Sequence, residues 1–111
     1  MDFRPLIEEQ AVEGAAYIKD GQAQKEWTRP GSNAPLRSSV ARLLQAASAL
    51  EGALASESRE HYLLVERGLL MAVRIPGEKR AFVALFLRDP HLAGTMRRKI
   101  LALGAKEEGD S

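Results

Sequence analysis

Three short apolar runs in close succession, residues 60–66, 69–75 and 81–87, do most to limit what this chain can fold into. Turn-forming residues bound each of them: Ser56-Glu57-Ser58 before the first, Arg67-Gly68 after it, Pro76-Gly77-Glu78-Lys79-Arg80 after the second, and Arg88-Asp89-Pro90 at the end. Runs this short, cut by glycine and proline, predict consecutive strands joined by tight turns, an antiparallel meander. The first run carries Tyr62, Leu63, Leu64 and Val65 in succession, so both of its faces are apolar. Such a strand needs cover on both sides, and left at the edge of a sheet it is a ready template for another chain.

The segments before and after the meander are read from their periods. Residues 2–10 are expected to form a short helix capped by Asp2, with Pro5 in its first turn. From Val12 the period becomes two, placing Val12, Gly14, Ala16 and Ile18 on one face, and the run stops at Asp20-Gly21, a two-residue hairpin signal. The returning strand, 22–27, is polar apart from Trp27, its anchor to the sheet. Residues 28–35 hold Pro30, Gly31, Ser32, Asn33 and Pro35, a loop. Leu36, Val40, Leu43, Leu44, Ala47, Leu50 and Leu54 then recur at spacings of three and four, the mark of one buried stripe on a helix over 36–55. That helix is roughly 30 Å long, enough to cross a small sheet. Beside it Ser39, Arg42, Ala46, Ala49 and Ala53 form a second stripe of mostly small residues, where another helix could approach closely. A closing helix is expected over 91–103, with Leu92, Met96, Ile100 and Leu103 at helical spacing, Gly104 as terminator and 105–111 as a loose tail.

The resulting order is αββαβββα. It predicts an α+β fold, or α/β sandwich, with a five-stranded antiparallel sheet flanked by helices, in one domain over residues 1–104. A chain of 111 residues supports one core and not two.

Composition narrows the chemistry. The chain has no cysteine, which removes thiolate catalysis, iron-sulfur clusters and cysteine-based zinc sites. With 16 basic against 15 acidic residues the net charge is +1, so no overall field draws it to nucleic acid or an anionic membrane. No apolar run approaches the roughly 20 residues of a membrane span, and Met1-Asp2-Phe3-Arg4-Pro5 does not begin a signal peptide; a cytoplasmic protein is expected. His61 and His91 are the only histidines, and neither has a second ligand at a metal-binding spacing. Arg97-Arg98-Lys99 resembles an anion patch, but three cations within one helical turn point in different directions. No phosphate-binding glycine loop and no Ser-His-Asp context is present, so neither catalysis nor a bound cofactor or metal is expected.

Four places in this order resemble the roadblock or dynein light chain family, whose bacterial members include regulators of the small GTPase of gliding motility and cell polarity. Residues 12–21, Val-Glu-Gly-Ala-Ala-Tyr-Ile-Lys-Asp-Gly, are similar to the family's first hairpin. The helix over 36–55 sits where the family places its central helix, residues 65–75 look like its third and fourth strands through Gly68, and Gly94-Thr95-Met96-Arg97 resembles the Gly-x-x-Arg opening of its last helix. Two features depart from the pattern: the first helix is short, and Ala11 stands where a glycine commonly precedes the valine.

The resemblance implies a roadblock fold of profilin-like shape and a homodimer in which the third strands meet edge to edge while the central helices lie side by side. It further implies that a small Ras-like GTPase docks on the helical face, and that Arg97 lies against the C-terminal part of the sheet. The interface so implied comprises Ser39, Arg42, Gln45, Ala46, Ala49 and Ala53 on the helix and His61, Tyr62, Leu63, Leu64 and Val65 on the strand. A solvated helix face with alanines for propensity is the plain alternative for the helical residues. Two other functions fit the same fold: a small-molecule sensing domain of Per-Arnt-Sim-like shape, and a structural light-chain adaptor.

Overall fold

Backbone pairing places Ala81–Leu87, the last strand in sequence, in the middle of the sheet. The computed structural model describes residues 1–33, 35–78 and 80–109. Its elements are α1 (Arg4–Ile7), β1 (Val12–Lys19), β2 (Gln22–Thr28), α2 (Leu36–Leu54), β3 (Glu60–Val65), β4 (Gly68–Arg74), β5 (Ala81–Leu87), a 3-10 turn (Pro90–Leu92) and α3 (Ala93–Gly109). The five strands are ordered β2-β1-β5-β4-β3 and every neighbouring pair is antiparallel. The meander β3-β4-β5 therefore forms as its turns predict, and β1 joins it alongside β5. β2 and β3 are left as the two edges.

Alternation along the strands builds two cores. One face buries Val12, Ala15, Met71, Val73, Leu85 and Leu87 against Phe3 and Leu6 of the α1 region and Met96 and Ile100 of α3. The other buries Ala16, Ile18, Leu70, Ala72, Phe82 and Ala84 beneath Leu36 and Val40 of α2. Met71, Leu85, Leu87, Met96 and Ile100 are fully buried, and each such side chain contributes roughly 1.5–3 kcal/mol by leaving water.

The first hairpin closes on Asp20 and Gly21 at φ 51° and 79°, the left-handed pair that a two-residue turn matching strand twist requires. The face of β1 differs from expectation. The β1–β5 register shifts between Val12 and Gly14, so one extra residue turns the strand over. Val12 packs toward α1 and α3, while Ala16 and Ile18 pack toward α2.

The first helix is shorter than expected, a single turn at Arg4–Ile7 rather than residues 2–10. Arg29 accounts for its end. The Arg29 guanidinium donates to the carbonyls of Ile7 at 2.9 Å, Glu9 at 3.1 Å and Val12 at 2.8 Å, so a cation holds the chain between α1 and β1 in a non-helical path. The same guanidinium lies 4.9 Å from the Trp27 ring, which is half-buried against the core as an anchor should be.

The closing helix also differs at both ends. Pro90–Leu92 forms a 3-10 turn capped by Asp89, which accepts the His91 N–H at 3.0 Å. α3 then runs past Gly104 to Gly109, where a terminator and a loose tail were expected; residues 110–111 lie outside the described residues. A Cβ at position 104 would stand 2.7 Å from Ile75 Cγ2 and 2.7 Å from Pro76 Cδ. Glycine serves there to let α3 press against Ile75 and Pro76, just past the end of β4, and the helix continues through it.

A candidate protein interaction surface

Among the described residues, six large apolar side chains are markedly exposed, and all lie on β3 or in the last turns of α2. Tyr62 is 43% exposed, Leu63 49%, Leu64 67% and Val65 42%, while Leu50 is 62% and Leu54 74% exposed. Because β3 is an edge strand, one row of its backbone groups has no strand beside it. Register with β4 sorts its side chains: Tyr62 opposite Met71 and Leu64 opposite Leu69 face the α3 side, whereas His61, Leu63 and Val65 face the α2 side. The opposite edge is built differently. β2 carries Gln22, Gln24, Lys25 and Glu26 exposed, charges and amides that keep an edge soluble.

Leu50 and Leu54 correct the single buried stripe read from the sequence. Leu36, Val40 and Ala47 are buried and Leu43 and Leu44 half-buried, but the stripe ceases to be covered beyond them. α2 is directional about its axis. Arg37 reaches Glu26 of β2 at 2.7 Å, which marks one flank, while Ser39 lines a cleft with Leu63 and Val65, which marks the other. A step of roughly 100° per residue puts Leu43, Ala46 and Leu50 on the flank of Ser39, facing β3. Of the helix residues read as an interface, Ser39 is half-buried at β3, and Arg42, Gln45, Ala46, Ala49 and Ala53 are exposed. Periodicity assigned Leu50 and Leu54 to the core; their exposure at the C-terminal half of α2 adds them to the candidate surface.

Between the start of α2 and the end of β3 lies an apolar cleft of about 120 Å³, lined by Pro35, Leu36, Ser39, Leu63, Val65, Leu70 and Phe86. The other end of the same seam is polar. Ser58 donates to Glu51 Oε1 at 2.6 Å and stands 3.5 Å from His61 Nε2, and the His61 ring tilts against Phe82 at 5.5 Å. Burial pushes the His61 pKa below its ordinary value; Glu51 opposes that push and Arg74 adds to it. Since the serine proton is directed to the carboxylate, the trio is not arranged to generate a nucleophile.

On the α3 side, Arg97 grips Glu60 with Nε and Nη2 at 2.5 and 2.9 Å, and the Tyr62 hydroxyl donates to the same carboxylate at 2.7 Å. These bonds hold the Glu60 carboxyl below the usual range. Burial and the Glu60 acceptor push the Tyr62 phenol up to about 12. Arg97 thus meets the beginning of β3. Arg98 reaches Thr95 at 3.4 Å and Lys99 the Pro5 carbonyl at 3.4 Å, so the three cations diverge. His91 is exposed beside Asp89, and among the described residues no cluster of three histidines or carboxylates is placed to hold a metal. No helix of the described residues is long and apolar enough to cross a membrane.

No protein-family model matches the chain, and no curated protein matches its sequence. Solved structures do match. The gliding protein MglB from Thermus thermophilus aligns with a TM-score of 0.56 at 21% identity, over 86% of this chain and 79% of that one. Myxococcus xanthus MglB aligns with a TM-score of 0.66 at 13% identity, over 93% and 85% of the two chains. An MglB described as having a tetrameric arrangement gives 0.55 at 21% identity, over 86% and 79%. Element order, sheet order and these alignments together establish that the chain has the α+β fold of the MglB gliding proteins, the roadblock-type arrangement that its ordered sequence features resemble.

Proposed function

We propose that this chain is a non-catalytic, cytoplasmic interaction module that pairs with a second copy of itself through β3 and presents the paired α2 helices to a small Ras-like GTPase. One observation carries the first half: a strand apolar on both faces stands at an open sheet edge, with Leu50 and Leu54 of α2 exposed beside it. Joining two β3 edges satisfies the open backbone row and hides these side chains together. The likeness to MglB structures, one of them tetrameric, supports self-association. The GTPase half rests on the roadblock resemblance and on the exposed small residues Ala46, Ala49 and Ala53 of α2. A regulator of this kind need supply no catalytic arginine, because it can bring the G protein's own residues and magnesium site into register.

Sedimentation velocity at micromolar concentration tests the pairing, and solitary particles throughout would overturn it. Phosphate release from the GTPase encoded nearest this protein's gene tests the second half. A raised rate marks an activator, binding with a flat rate marks a scaffold, and no binding removes the G protein from the reading.

A further inference from the structure

The cleft at one end of α2 and the exposed leucines at its other end are complementary. α2 runs antiparallel to β3: its first turns meet the strand's end at Leu63 and Val65, and its last turns meet the strand's start through Glu51 and Ser58. A two-fold axis perpendicular to the sheet, passing between two antiparallel β3 strands, leaves both α2 helices on one face and running in opposite directions. The C-terminal half of each helix then faces the N-terminal half of its twin. Leu50 lies on the β3-facing flank of its helix, and the cleft at Ser39 opens on that same flank. The cleft holds about 120 Å³ with a nearly all-apolar lining, close to the roughly 150 Å³ cavity that admits a benzene ring. That is room for an isobutyl group.

We propose that Leu50 of each copy inserts into the Ser39–Leu63–Val65 cleft of the other, forming two reciprocal locks that set the register of the paired sheets. The inference rests on the pairing proposed above, and it names the contact that fixes it. It also accounts for a leucine left 62% exposed beyond the covered part of the stripe, and for a cleft that no side chain among the described residues fills. Leu54, further along, covers Pro35 and Leu36 of the twin.

Because the chain contains no cysteine, disulfide trapping reads this contact directly. Ser39→Cys and Leu50→Cys single variants are mixed and oxidised; within one helix the two positions are about 16 Å apart and cannot bridge. The expected result is a mixed disulfide formed at least tenfold faster than either homodisulfide. A control pair, Ala41→Cys with Ser48→Cys on the β2-facing flank, should not cross-link. If wild-type protein sediments as a dimer and the test pair traps no faster than the control, the lock is overturned while pairing stands. Monomeric wild-type protein overturns the pairing itself. In unmodified chains, Leu50→Ala should weaken the dimer at least tenfold and Ser39→Trp should do the same by filling the cleft; dimerisation within twofold of wild type for both would also sink the proposal.

Discussion

Arg97 and Glu60 face each other as a two-pronged ion pair that ties α3 to the first residue of the edge strand. Glu60 is held below the usual carboxylate range chiefly by Arg97, so the stabilisation is present above its ordinary pKa of 4.5 and lost as pH falls through the lowered value. Arg97→Gln should flatten this acid-side loss of thermal stability. It should also raise hydrogen exchange in β3 more than in β5, because the strand loses its tie; equal rises in both strands would contradict this assignment.

His61 gives a second pH dependence, at a higher pH. Its pKa lies below the ordinary 6.5 because burial disfavours the charged ring, with Glu51 and Arg74 the charged neighbours. Its contribution is present above about pH 6.5 and lost as pH falls through the lowered folded value. His61→Asn should remove the loss of melting temperature that sets in as pH falls below about 6.5, the ordinary value for the ring.

Two glycines in helices should respond oppositely to alanine. Gly104→Ala places a methyl 2.7 Å from Ile75 and Pro76, and overpacking of this kind costs about 1–3 kcal/mol against a helix-propensity gain of about 1. Gly52→Ala meets nothing within 4 Å on the exposed side of α2, so it should gain up to about 1 kcal/mol. Urea unfolding of the two variants checks the signs.

Arg29→Ala should free the segment between α1 and β1. Three carbonyls lose a charged donor, but at this part-buried site water replaces most of what is lost, so the expected cost is that of about one hydrogen bond to a charged group, about 2 kcal/mol. Limited proteolysis should then cut between Ile7 and Val12 before any other site.

Leu64→Lys tests the edge. Each copy would forfeit roughly 1.5–3 kcal/mol of apolar burial on pairing, which weakens a dimer at least tenfold. Light scattering reads the mass, and an unchanged dimer would remove β3 from the interface.

The meander and the hairpin at Asp20-Gly21 were legible in the sequence because turn residues and period-two runs are local signals. The flip between Val12 and Gly14 was not, since a bulge depends on what the neighbouring strand demands. Arg29 gave no signal, its partners being carbonyls that any residue carries. Gly104 was read from its usual place after a helix, when its reason lies in Ile75 and Pro76. For the candidate surface, the apolar run Tyr62–Val65 was visible, and its position at an edge follows only from β5 crossing to β1. Leu50 was misplaced because spacing tells which side chains share a flank and not how far the layer beneath them extends.

The two rims of the sheet differ in kind, one greasy at β3 and one charged at β2. Joining like rim to like, as proposed, would consume the adhesive border of each molecule and turn water-loving borders outward. On the proposed pairing, growth by strand addition would be self-limiting: the ribbon would stop once two five-stranded sheets had met, instead of propagating into a fibre.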